Sequence, residues 1–160
     1  MISKKSMQNW MVMGLLALFA SGLVGAKSAN AQDWTLQQVR SAANYAQTVA
    51  KVKKLVAKSG MMILGEVNQG KILSMTGLKL KAVSLFIGNP TMGKKIFSAN
   101  PGVGIAIPVR VNIFEGKDGR VYVNYYKPSA QLAAFESKPV TMAAKMLDQK
   151  LAKLTSMVAQ

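Results

Sequence analysis

The stretch IAIPVRVNIFEGKDGRVYVNYY, Ile105 to Tyr126, decides the fold. Apolar residues occupy every second position, at Ile105, Ile107, Val109, Val111 and Ile113 in one run and at Val121, Val123 and Tyr125 in the other. A period of two sends successive side chains to opposite faces, so each run is expected to be a strand with one face against a core. Glu115-Gly116-Lys117-Asp118-Gly119 joins them, and Asp-Gly is a hairpin turn signal. An antiparallel pair is thus the seed of the sheet. Pro108 cannot donate to a ladder, which predicts that its strand lies at an edge or carries a bulge.

Toward the N-terminus, LKLKAVSLFI (Leu78 to Ile87) adds a strand that ends at Gly88, and a short helix is expected from Pro90 to about Ser98. Upstream, MMILGEV (Met61 to Val67) reads as a further strand, joined onward by the Gly-and-polar connection NQGKILSMTG. Before it, NYAQTVAKVKKLVAKSG places Tyr45, Val49, Val52 and Val56 on one helical face, with Asn44 as cap and Gly60 as stop. WTLQQVRS (Trp34 to Ser41) supplies the first strand. Toward the C-terminus, SAQLAAF is a short helical piece, and Pro139 opens a long helix with the stripe Val140, Ala144, Leu147, Leu151, Leu154 and Val158. The order β-α-β-β-β-β-α is an α+β domain, an antiparallel sheet with helices packed on one face.

The first residues belong to another class of signal. MISKK is cationic, and WMVMGLLALFASGLV (residues 10–24) is apolar but shorter than the roughly 20 residues of a membrane-spanning helix. Ala29-Asn30-Ala31 is a small-x-small cleavage pattern. Residues 1–31 are therefore expected to be a signal peptide and residues 32–160 a single exported, periplasmic domain. The alternative is an uncleaved anchor through residues 10–24, holding the domain on the outer face of the inner membrane. Setting aside Lys4, Lys5 and Lys27 lowers the formal charge from +15 to +12. That excess draws anionic ligands, anionic lipid or acidic proteins, with nucleic acid the least expected in an exported chain. It also suits a protein that faces acid.

The chain has no cysteine and no histidine. Thiol nucleophiles, imidazole bases and the ligands zinc prefers are excluded, and the fold must stand on packing without disulfides. No metal or cofactor is implied. The seven methionines of the mature chain are dispersed and suit core or groove filling better than soft-metal ligation. For acid–base chemistry the candidates are Glu66, Glu115 and Tyr125, although Glu115 is also placed to pair with Arg110 or Arg120.

For an anion, the candidates are Gly88, Asn89, Lys94 and Lys95, where a strand runs into a helix N-terminus. Gly88 and Gly93 keep the spacing of a phosphate-binding loop, but Lys95 replaces its hydroxyl residue and Pro90 removes an N–H. The plainer reading weighs more: Gly88 permits the turn, Asn89 caps, and Pro90 takes the first helical position.

LFIGNPTMG (Leu85 to Gly93), SANP (Ser98 to Pro101), the hairpin with its exit to Pro128, and TVAKVKKLVAKSGMMILGEV (Thr48 to Val67) together resemble the domain-of-unknown-function family 302. The resemblance runs from about Leu36 to Phe135. It implies a fold similar to that of TATA-box-binding proteins, a homodimer, and no established activity; a fold alone does not imply DNA binding. Asn68-Gln69 stands where many members look like Asp-His, and AAFES lacks a histidine found in many. Any metal or proton-transfer role in relatives is thereby put in doubt here. The expected function is a non-catalytic binding or interaction domain with a basic surface for an anionic ligand, lipid or acidic partner. The alternative is an enzyme with a carboxylate and a tyrosine in the cleft between sheet and helices.

Overall fold

The structure, a computed structural model, describes residues 35–160. The signal peptide, the alternative anchor and Trp34 lie outside the described residues. Five strands and five α-helices follow as β1 (Leu36–Arg40), α1 (Tyr45–Lys58), β2 (Met62–Val67), α2 (Gln69–Ser74), β3 (Ala82–Gly88), α3 (Pro90–Ala99), a 3-10 turn (Pro101–Ile105), β4 (Val109–Glu115), β5 (Val121–Tyr126), α4 (Pro128–Gln131) and α5 (Lys138–Ala159). The strands form one antiparallel sheet in the order β1-β5-β4-β3-β2. Among the described residues no helix is long and apolar enough to cross a membrane.

The alternation of the hairpin sets the layers. Val109, Val111 and Ile113 of β4 and Val121, Val123 and Tyr125 of β5 point to one face, joined there by Val83, Leu85 and Ile87 of β3. Onto it pack Val52 and Val56 of α1 and Leu147, Leu151, Leu154 and Val158 of α5. The N-terminal half of α5 continues into a second cluster, in which Val140, Ala143 and Ala144 meet Ile96 of α3, Val103 and Leu132. The α5 stripe expected from 3-4 spacing is thus buried along its whole length, and it joins the two halves of the core.

The caps follow from local chemistry. Asn44 and Gln47 close a reciprocal capping box at the start of α1. Gly60, with φ +69, lets the chain turn from α1 into β2.

Four sequence expectations change. Ile105 and Ile107 do not extend β4: Asn100 accepts from Gly102 N–H and starts the 3-10 turn, leaving Ile105 86% exposed. Pro108, after a cis peptide bond, therefore precedes β4, so its missing N–H costs the ladder nothing. β4 is the central strand rather than an edge. The strand read from Leu78 begins at Ala82, because β4 ends at Glu115, whose N–H bonds Lys81 O, and offers no partner further back. Part of the NQGKILSMTG connection is helical, since Asn68 accepts from Lys71 N–H and caps α2.

Candidate functional site

The three acid–base candidates are held apart. Glu66 lies on edge strand β2, where Lys53 Nζ of α1 pairs with it at 2.6 Å. Glu115 is at the hairpin end of β4 and takes Lys81 Nζ at 2.9 Å, rather than Arg110 or Arg120. Tyr125 is on β5, separated from β2 by two strands, or about 14 Å at ordinary strand spacing. It faces the core and is only 5% exposed. No shared cleft brings these groups onto one substrate.

Burial chiefly pushes the Tyr125 hydroxyl above its ordinary value near 10; the Thr155 hydrogen bond works against this, and the nearby Asp148 carboxylate reinforces it. The folded state therefore favours the neutral phenol. Its contribution to stability is complete below the unfolded value and is lost as pH climbs through the raised one. Urea unfolding across the alkaline range is expected to show a loss of stability that Tyr125→Phe reduces; an unchanged alkaline loss would place the titrating group elsewhere.

The anion candidates fall at the β3–α3 junction. Gly88 is paired with Met62 in the sheet and is not in the left-handed region. A Cβ there would meet Leu64 Cδ1 at 3.0 Å, a tight contact with the tip of a half-exposed side chain, and no turn geometry calls for the glycine. Asn89 Oδ1 accepts from Met92 N–H at 2.9 Å, while its Nδ2 donates to Gly60 O at 2.7 Å. Both ends of this amide are engaged, tying the start of α3 to the end of α1. Asn89→Ala is expected to cost about 1–2 kcal/mol in chemical denaturation, through cap and tie together. Asn89→Asp keeps the cap acceptor and loses only the donor, so it should cost less.

Lys95, one turn into α3, meets α5 across a groove of about 700 Å³. Asn89, Thr91, Met92 and Lys95 line one side; Lys138, Pro139, Met142, Ala143, Met146 and Lys150 line the other. Met142 and Met146 are 60% and 46% exposed and make its floor. Lys150 Nζ donates to Ser59 O at 2.7 Å, capping the end of α1. Lys150 also lines a neighbouring groove of about 490 Å³ with Leu55, Lys58, Lys153, Leu154 and Met157. Among the described residues no carboxylate lines either groove. Lys94, one position from Lys95, does not line them.

Lys138, Met142, Met146 and Lys150 recur every four residues, a ridge along α5 beside the buried stripe. That K-M-M-K spacing is the signal that sequence reasoning passed over.

The opposite face of the sheet, closed over buried Ser84 and open toward β1, carries a row of side chains hydrogen-bonded across four strands. Ser84 Oγ donates to Asn112 Oδ1, Asn112 Nδ2 to Asn124 Oδ1, and Asn124 Nδ2 to Gln38 Oε1, at 3.2–3.3 Å. Gln69 Nε2 donates to Ser84 Oγ from the β2 side. Asn68 and Gln69 thus serve a helix cap and this row. Phe114 stacks on Tyr122 at 5.6 Å on the hairpin side of the row, and Tyr122 Oη donates to Asp118 Oδ2 at 2.6 Å. A cleft of about 540 Å³ lies on the other side, lined by Leu36, Phe86, Ile105, Pro108, Arg110 and Tyr126 among others. Among Phe86, Phe114, Tyr122, Tyr125 and Tyr126, Tyr125 alone belongs to the core cluster under the helices.

The family whose pattern matches residues 37–158 is described as Domain of unknown function DUF302. A crystal structure of an uncharacterized conserved protein DUF302 from Bacillus stearothermophilus superposes with TM-score 0.70 at 17% identity, covering 77% of this chain and 97% of that one. Among curated proteins, Fluoride-specific ion channel FluC 1 of Brucella suis is 27% identical over 129 residues, covering 74% of this chain and 51% of its own length. Fluoride-specific ion channel FluC 1 of Brucella abortus is likewise 27% identical, covering 74% and 48%. This chain spans about half the length of these curated relatives.

Proposed function

We propose, from the fact that this chain belongs to the family described as Domain of unknown function DUF302, that it is a non-catalytic binding domain whose α3–α5 groove holds an anionic amphiphile. The ligand is a fatty acid or an anionic lipid, with its chain on Met142 and Met146 and its head group at Lys95 and Lys138, since Lys150 stands about 18 Å further along α5 and donates to Ser59 O. The observation that carries the reading is the groove itself: apolar methionine surface flanked by lysines, with no carboxylate lining it among the described residues. Its volume lies within the range of small-molecule sites. An enzymatic reading finds no comparable support, because Glu66, Glu115 and Tyr125 do not converge.

The domain acts outside the cytoplasm, in keeping with the leader-like residues 1–31. The homodimer expected from the family resemblance remains part of the proposal; a monomeric mass in light scattering at high concentration would reject it. Likeness to proteins named fluoride-specific ion channels supports a site of action beside an anion-handling membrane protein.

Calorimetric titration of residues 32–160 with decanoate and with the neutral decyl glucoside tests the ligand class. Decanoate should bind saturably, about tenfold more tightly than the glucoside, since two exposed ion pairs each supply up to ~1 kcal/mol. That preference should shrink as salt is raised. Equal affinities, or no decanoate binding at low salt, would overturn the reading.

A further inference from the structure

We propose that the open face of the sheet carries a second, separate binding site, for a small carboxylate with a flat apolar body, and that Arg110 receives the carboxylate. Arg110 pairs with Phe86 across β3 and β4. Continuing the β4–β5 register from Asn112 opposite Asn124 brings Tyr126 beside Arg110, and Leu36 pairs with Tyr126 beyond it. One row across four strands therefore reads Phe86, Arg110, Tyr126, Leu36. With neighbouring strands about 4.8 Å apart, an aromatic ring is rooted on each side of the arginine.

The guanidinium is oriented but not neutralised. Arg110 Nε donates to Ser84 Oγ at 3.1 Å, which anchors one edge of the fork. Among the described residues Arg110 has no ion pair, and no carboxylate lines the cleft. The amides of Asn112 and Asn124 are engaged with each other and with Ser84 and Gln38, and Gln131 Nε2 donates to Tyr126 O. Arg110 is thus the charged donor left facing the cleft, and a planar fork matches a carboxylate edge to edge. A single positive charge suits a monocarboxylate better than a dianionic phosphate.

The remaining lining is apolar. Leu36 is half exposed, and Ile105 at the rim is 86% exposed. An isoleucine so placed adds nothing to the core, whereas a bound ring would take it out of water. The cleft, about 540 Å³, has room for a one- or two-ring acid. It shares no lining residue with the α3–α5 groove, so the two sites are independent.

The test uses benzoate as the probe and benzamide as its neutral counterpart, followed by amide-shift NMR titration of residues 32–160. Benzoate should bind with a dissociation constant on the order of 1 mM, as a nine-heavy-atom ligand allows. Its shifts should centre on Phe86, Arg110 and Tyr126, and benzamide should bind at least fivefold more weakly. Arg110→Gln should weaken benzoate about tenfold, and Ile105→Asp should weaken it severalfold. Ile105 is so exposed that its replacement tests the site even if Arg110→Gln disturbs the sheet. Met142→Glu should leave benzoate binding unchanged. Equal binding of benzamide, an unaffected Arg110→Gln variant, or shifts confined to the helical face would each overturn the proposal. So would sedimentation showing a dimer that Arg110→Glu dissociates while benzoate leaves the cleft residues unshifted, because a second copy would then be the occupant.

Discussion

Met142→Glu combined with Met146→Glu is expected to lower the affinity for decanoate by about a hundredfold. Both methionines lie on the floor of the α3–α5 groove and are substantially exposed, so the core does not depend on them. Two losses add. Each methionine removed takes away apolar surface worth about 1 kcal/mol to a bound chain. The new carboxylates also repel an anionic head group and compete for the rim lysines, for roughly a further 1 kcal/mol in a solvent-exposed groove. About 3 kcal/mol in all corresponds to roughly two decades of affinity. Glutamate preserves helix propensity, and residue 146 would stand four positions before Lys150, a favourable helical pair. Unfolding free energy should therefore change by no more than about 0.5 kcal/mol. Calorimetry and urea unfolding on the same samples separate the two effects; a variant that stays folded and binds decanoate as before would remove the groove from the account.

The second large effect is on stability. Leu151→Ala should lower the free energy of unfolding by about 3–4 kcal/mol, a sizeable part of the 5–15 kcal/mol typical of a domain. Leu151 is 0% exposed and stands in the cluster where α5 meets α1 and the sheet. Truncation removes the transfer free energy of its side chain, and it opens a cavity that a β-sheet on one side and a helix on the other cannot collapse to fill. The urea midpoint should fall with little change in slope. A loss below about 1 kcal/mol would mean that α5 is not docked as described.

Much of the architecture was legible because it follows from short-range rules. The alternation of Val109, Val111 and Ile113 against Val121, Val123 and Tyr125 specified a hairpin, its Asp-Gly turn and its buried face. The α5 stripe from Val140 to Val158, the Asn44 cap and the family likeness around LFIGNPTMG were equally readable. Failures arose where long-range pairing overrides pattern. Pro108 seemed to mark an edge strand, yet it stands before β4, and sheet order places β4 at the centre. Ile105 continued the alternation by coincidence, since the Asn100 turn had already taken the chain out of the sheet. Gly88 makes no turn but pairs with Met62 inside the sheet, beside the Leu64 side chain, a setting that only the β2–β3 pairing reveals.

The candidate sites divide in the same way. Asn89 and Lys95 were found from local sequence, but the groove they border depends on α5 crossing α3. The ridge from Lys138 to Lys150 was present in the spacing and concealed by the stronger buried stripe next to it. The row of Phe86, Arg110, Tyr126 and Leu36 depends on β1 pairing with β5, a contact between residues far apart in the chain that no local period encodes.

The most direct measurement is a titration of 13C-methyl-methionine-labelled residues 32–160 with decanoate, followed by methyl NMR. Residues 32–160 offer seven methionine probes spread over surface and core. Shifts should be largest at Met142 and Met146, present at Met92, and absent at Met75, which does not line the groove, with a common saturation curve. Uniform small shifts, or shifts centred on Met62 or Met75 while Met142 and Met146 stay fixed, would contradict the account.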